Sequence, residues 1–289
     1  MGLQRVPLLK SLVRTEPDNP SDTTLLNRLL RQVGQHLAPD EVALFDAGFK
    51  VAALQAADIK RGVIRLAANV TARRNYPAPY KGRGRRPVYG PLVRPLARTY
   101  KGRTIAASPA DFSQTFQYEG RTIKVKGWYD LILPGVVPAP ENDTFDIYVF
   151  EDPLYQTPLV LAATLRLRPA TTFGLYQDRW PVEQVPLAAK HMIGAHRQFV
   201  FAPQSCQRWP ELALIVGGIL TYLAAALPPI PTGFWDCQPK ATPGRLRRLL
   251  ARADFPKDYP FLPQIRKKQA VTDHLPKGVA AHRRSKTLT

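Results

Sequence analysis

Four residues in the second half of the chain carry groups that could handle a phosphodiester. Tyr176, Arg179, Glu183 and Lys190 are separated by two, three and six residues. Wound at ~100° per residue, they fall within a stripe roughly 60° wide on one helix face. A stripe of phenol, guanidinium, carboxylate and ammonium is not a core face. It reads either as a solvated face with ordinary charge pairs or as a phosphate-handling surface, with cations for the nonbridging oxygens and a carboxylate for a metal. A second carboxylate, Asp46, ends the apolar run Val42-Ala43-Leu44-Phe45 and stands beside Gly48. The C-terminal end of a buried strand is where open α/β sheets place ligands, and the bland alternative is a turn aspartate.

Tyr-x2-Arg-x3-Glu-x6-Lys resembles the Y-R-E-K signature of bacterial insertion-sequence transposases, every spacing being met. The surrounding Tyr176-Gln177-Asp178-Arg179-Trp180-Pro181-Val182-Glu183 is similar to that group as well. Phe45-Asp46-Ala47-Gly48-Phe49 looks like its second-aspartate motif, and Gly62-Val63-Ile64-Arg65-Leu66 resembles the strand that follows. The resemblance spans residues 3–227. It implies an α/β fold, a ribonuclease-H-like mixed sheet with flanking helices and a β-rich insertion between the second Asp and the Glu. It also implies DDE chemistry, in which three carboxylates hold two Mg²⁺ (or Mn²⁺) ions that activate a nucleophile and stabilise the leaving oxygen at a DNA strand. By carry-over Asp46 and Glu183 are metal ligands and catalytic residues, while Tyr176, Arg179 and Lys190 hold DNA phosphates. The implied partner is double-stranded DNA at transposon ends, held by a homodimer in the bacterial cytoplasm and associated with the nucleoid.

One element of that pattern is missing. Only 45 residues precede Asp46, and their acids, Glu16, Asp18, Asp22, Asp40 and Glu41, read as turn, cap or loop residues. The expectation is a transposase catalytic domain lacking its first strands and first Asp, apparently truncated at the N-terminus. The rival expectation is a non-catalytic DNA-binding remnant, and a third is a basic RNA-associated structural protein.

Other motifs are weak. His191 and His196 are five apart, not the four of a helical metal pair. Cys206 and Cys237 exclude a disulfide-dense scaffold and a four-cysteine zinc site, and read as buried thiols.

The elements that must position these groups follow from the patterning. Residues 3–14 read as a strand. Ser21 or Asp22 can cap a helix with Leu25, Leu26, Leu29, Leu30, Val33 and Leu37 at helical spacing. A strand at 42–46, a helix at 51–57 and a strand at 62–67 follow, completing the partial core at 1–75. Residues 76–140 form a basic β-rich insertion with Arg83, Arg85 and Arg86 in an exposed loop that would track a phosphate backbone. Residues 141–230 carry strands near 145–150 and 159–167, a helix over about 176–194 in which Pro181 can take a first-turn position and Pro186 is expected to kink it, and an apolar helix at 211–227. The uncharged run 212–227 is 16 residues, short of the ~20 needed to span a bilayer, so a helix buried in the domain core is expected and no membrane contact. Residues 231–289 form a basic Pro-rich tail, with a short helix at 245–252 and disorder beyond 270.

Charge gives the same division. The 289 residues contain 41 Lys+Arg and 22 Asp+Glu, a formal +19. Residues 73–103 hold ten of these cations and no acid, and residues 240–289 hold 13 with three acids. Each segment is +10, and the remainder is −1. Two basic segments on a neutral body point to a polyanion, nucleic acid first. The 29 prolines argue against a helical bundle or coiled coil.

Overall fold

The computed structural model describes residues 9–13, 21–80, 82–195 and 202–251. The protein is mixed α/β: one mixed sheet with helices flanking it. Helix α1 (Asp22–His36) starts where a hydroxyl can cap it, Ser21 accepting the Thr24 N–H at 3.2 Å. Strand β1 (Ala43–Phe45), helix α2 (Val51–Ala56) and strand β2 (Gly62–Arg65) follow. A crossover helix lets β1 and β2 pair in parallel, with Phe45 opposite Ile64.

The chain then crosses the sheet. Strands β3 (Ala72–Arg74) and β4 (Leu92–Val93) form its far edge, and β5 (Arg98–Tyr100) and β6 (Arg103–Ile105) form a separate hairpin. The hairpin β7 (Phe112–Tyr118) and β8 (Arg121–Ile132) returns to the centre. Strands β9 (Phe145–Glu151) and β10 (Leu159–Ala163) complete the order β1-β2-β10-β9-β8-β3-β4, with β7 also on β8. The segment expected as an insertion is thus continuous with the sheet. β8 has inner-strand character: one edge takes β9, and the other takes β7 along its first half and β3 at its end.

Both faces are covered, which is why β9 is apolar apart from Asp146 and its exposed last residue, Glu151. Phe145, Ile147 and Val149 join Leu30, Leu54, Ile64 and Trp128 beneath α1 and α2. Tyr148 and Phe150 face the other way, with Val63, Val125, Leu161 and Phe173. That second face is closed by helix α3 (Pro169–Gln177), whose Pro169 sits in the first turn, where its missing N–H costs no hydrogen bond. On this face Arg166 ties Asp130 and buried Asp146 together, at 2.9 and 3.2 Å.

The helix expected over 176–194 is four pieces. α3 ends at Gln177; a 3₁₀ turn (Trp180–Glu183), helix α4 (Gln184–Ala188) and a π turn (Ala189–Ile193) follow. Pro181 sits in the first turn of the 3₁₀ piece, where its missing N–H is tolerated, and Pro186 lies within α4. Helix α5 (Pro203–Ala226) packs Gly217 against Ala189, close enough that a Cβ there would meet backbone. It is buried on one side only: Leu212, Ile215, Ile219 and Tyr222 are exposed, against the expectation of a core helix. Among the described residues α5 is the one helix long and apolar enough to cross a membrane. Helix α6 (Pro243–Leu250) matches the expected short amphipathic helix. Residues 9–13 are irregular, the rest of the strand expected at 3–14 lies outside the described residues, and so does the tail beyond 251.

Candidate functional site

Asp46 is placed by the parallel pair. It follows β1 directly, where the chain turns into α2: its carbonyl accepts the Phe49 N–H at 3.1 Å, and its Oδ1 accepts the Ala47 N–H at 2.8 Å. The neighbouring strand β2 ends at Arg65, so the parallel register sets a guanidinium beside the carboxylate, Nη1 to Oδ1 at 3.9 Å. Both groups stand at the C-terminal ends of parallel strands.

Tyr176 comes from the last turn of α3. Its ring is buried on the second sheet face, and its hydroxyl donates to Asp46 Oδ1 at 3.1 Å across 130 residues of chain. Arg179 lies just past the end of that helix, its guanidinium 5.5 Å from the Tyr176 ring centroid. From there it spans two carboxylates: Nη1 donates to Glu183 Oε1 at 2.9 Å, and Nη2 is 3.7 Å from Asp46 Oδ2. Its Nε is buried and has no hydrogen-bond partner among the described residues. Such a donor lacks the acceptor that buried polar groups ordinarily have.

The four charged groups, Asp46, Glu183, Arg65 and Arg179, sum to zero. The carboxyl of Asp46 is held below the ordinary carboxylate range, chiefly by the Ala47 N–H, with help from Tyr176, Arg179 and Arg65 against a modest cost of burial. Burial raises the Tyr176 phenol above its usual value, and the charge of Asp46 adds to this. Beside the cluster opens a cavity of about 290 Å³, walled by Phe150, Phe173 and Tyr176 and rimmed by Arg65, Asp152 and Arg179.

Of the expected site residues, Asp46, Tyr176, Arg179 and Glu183 come together. Lys190 does not join their contacts; it is exposed on the π turn. The even helical stripe fails because 3₁₀ and π windings turn the chain at other angles per residue. Arg83, Arg85 and Arg86 are exposed on the loop at 82–86 and share no contact with the cluster, Arg86 lying over the Tyr80 ring at 5.6 Å. Cys206 is half-buried and Cys237 exposed, so neither is the fully buried thiol expected. Arg65 is the site residue that sequence reasoning missed. The signal was present, a cation closing the strand that pairs in parallel with the one before Asp46.

The donor set suits at most one hard divalent cation. Two carboxylates with positions left for water and phosphate oxygens match the preferences of Mg²⁺. However, a guanidinium already links the pair, and among the described residues no group of three or more His, Cys, Asp or Glu side chains converges. The residues described do not fit a centre of two ions. No protein family and no curated protein matches this chain.

Proposed function

We propose that this chain is the catalytic-domain portion of a DDE-type transposase. In this reading it holds duplex DNA at the Asp46–Tyr176–Arg179–Glu183 cluster and does not by itself assemble the two-ion centre that cleavage needs. The observation carrying this reading is Arg179. It joins carboxylates from opposite halves of the chain, and its buried Nε has no acceptor among the described residues. A nonbridging phosphate oxygen would provide one, and an arginine fork suits a phosphate better than any other side chain.

The parallel β1–β2 pair, the aspartate directly after β1 and the glutamate on the helical segments beyond the added strands support a ribonuclease-H-like core. The added strands extend its sheet. Phosphate entering the cluster would draw Arg179 off Glu183 and Asp46, leaving that pair to hold one Mg²⁺ or Mn²⁺. Such an ion would neutralise charge on the phosphodiester. Tyr176 orients Asp46 through its hydroxyl, and Arg65 offers a second cation to the same phosphate. The exposed Arg83, Arg85 and Arg86 would follow the backbone outside the cluster. Lys190 would join them as a further cation for the DNA. A homodimer in the bacterial cytoplasm, bound at the nucleoid, completes the reading.

The competing reading, a fully active enzyme, is disfavoured by the two-carboxylate count. Fluorescence anisotropy with a labelled duplex tests the proposal, run alongside incubation of that duplex with Mg²⁺ or Mn²⁺. We expect binding that weakens steeply as salt rises, as counterion release demands, and no cleavage. Absence of duplex binding at low salt would overturn the reading as a whole. Metal-dependent cleavage abolished by both Asp46→Ala and Glu183→Ala would overturn the part that denies catalysis.

A further inference from the structure

The cation-rich segment contains one tetrapeptide twice: Tyr80-Lys81-Gly82-Arg83 and Tyr100-Lys101-Gly102-Arg103. The second copy is the tip of the β5–β6 hairpin. Tyr100 pairs with Arg103, and Lys101 and Gly102 both take positive φ, 47° and 73°, as a two-residue hairpin turn of the tightest kind requires. In the first copy Gly82 has φ 78°, and the Tyr80 hydroxyl donates to the Gly84 carbonyl at 3.1 Å, four residues on. A Cβ added at Gly82, Gly84 or Gly102 would meet nothing within 4 Å, so both tips stand clear of the body.

Each tip exposes its tyrosine, Tyr80 by 47% and Tyr100 by 59%, and each ring has a cation near it. Arg86 lies 5.6 Å from the Tyr80 centroid, and Lys101 lies 5.6 Å from that of Tyr100. Tyr76 and Tyr89 add two further exposed rings to the same segment, with Arg73 5.1 Å from the Tyr89 centroid.

Cations alone would serve a duplex backbone, whose bases are stacked inside and offer only their edges. Exposed rings interleaved with cations serve a different ligand. Unpaired bases present free π faces for stacking while the phosphates between them meet Lys and Arg. We propose that the twin Tyr-Lys-Gly-Arg tips bind an unpaired stretch of DNA strand, each tyrosine stacking on one base. The inference rests on the reading above that DNA is the partner, and adds that the DNA held at this segment is locally single-stranded.

The test uses the full chain and anisotropy with three labelled probes of equal length: oligo(dT), a mixed-sequence duplex and oligo(U). Wild type is expected to bind oligo(dT) and duplex. The double substitution Tyr80→Ala/Tyr100→Ala should weaken oligo(dT) binding about tenfold or more, since a base–aromatic stack contributes on the order of 1–3 kcal/mol. Duplex affinity should change less than about twofold, because the phosphate contacts remain. Tyr80→Phe/Tyr100→Phe should retain oligo(dT) binding, because a phenyl ring stacks as well. Equal losses on oligo(dT) and duplex, a phenylalanine variant as weak as the alanine one, or tighter binding of oligo(U) than of oligo(dT) would each overturn the inference. Binding of duplex without oligo(dT) sinks this inference alone. Binding of no probe sinks the underlying reading as well.

Discussion

Replacing Arg179 with alanine is the sharpest perturbation of the proposed site. In the free protein its guanidinium is already engaged, at 2.9 Å from Glu183 and 3.7 Å from Asp46, so reaching a phosphate means giving up those contacts. A charged hydrogen bond contributes about 1.5–3 kcal/mol, and the lost pairings to half-exposed carboxylates offset up to about 1 kcal/mol of it. The net is about 1.4 kcal/mol, a tenfold loss of duplex affinity. The substitution also changes the cluster from neutral to a net charge of −1, which acts in the same direction. One phosphate contact fewer should reduce the slope of log affinity against log salt by about 0.9. Stability should fall little, by about 1 kcal/mol or 2–4 °C in Tm, because the carboxylates left behind can solvate. Anisotropy titrations between about 50 and 200 mM salt measure both affinity and slope, and the triple substitution of Arg83, Arg85 and Arg86 by alanine serves as a comparison. That variant should lower the slope by about 2.7, three exposed contacts in place of one. An Arg179→Ala protein with unchanged slope and affinity within twofold of wild type would refute the assignment of this cluster to DNA.

Two more predictions concern the carboxylates. Because the Asp46 pKa is depressed in the folded state, its contribution to stability is present above the ordinary aspartate value near 4 and is lost as pH falls through the lower folded value. Asp46→Asn should therefore be less stable than wild type at pH 7, by under about 1 kcal/mol given the exposure of the group, with a smaller gap near pH 3. Urea midpoints at the two pH values check this, and a constant gap would contradict it. Elsewhere on the sheet face covered by α3, Arg166→Met should cost about 2–3 kcal/mol because it strips the charged partner from Asp146, whose side chain is only 6% exposed. Asp130→Asn, at a 67% exposed side chain, should cost less than about 0.5 kcal/mol, and equal shifts in urea midpoint would show that burial of Asp146 is not what matters.

Local physics was legible along the chain. A capping Ser21 and the leucine spacing predicted α1, and the helix begins there. The apolar run before Asp46 predicted β1, and the glycine-led run at 62 predicted β2. Pro186 marked where the long helix had to bend, although not that the segment would become a 3₁₀ turn, a short helix and a π turn. Boundaries of long-range pairing were not legible. The segment 76–140 looked separate because its composition changes, yet hydrogen bonding to β9 puts β8 in the middle of the sheet. The exposure of α5 along Leu212, Ile215 and Ile219 was likewise hidden, because an uncharged run has no polarity to say which face is outward.

Residue types and local spacing determined which groups could meet a phosphate: Tyr176, Arg179 and Glu183 lie within eight residues, and Asp46 closes an apolar strand. Only the tertiary structure decided that Asp46 reaches them, because a contact spanning 130 residues depends on α3 docking over the ends of β1 and β2. It also recruited Arg65 through parallel register, left Lys190 outside, and set a guanidinium between two carboxylates. Sequence spacing specifies neighbours along one element, while the balance of charge at a site depends on which elements pack together.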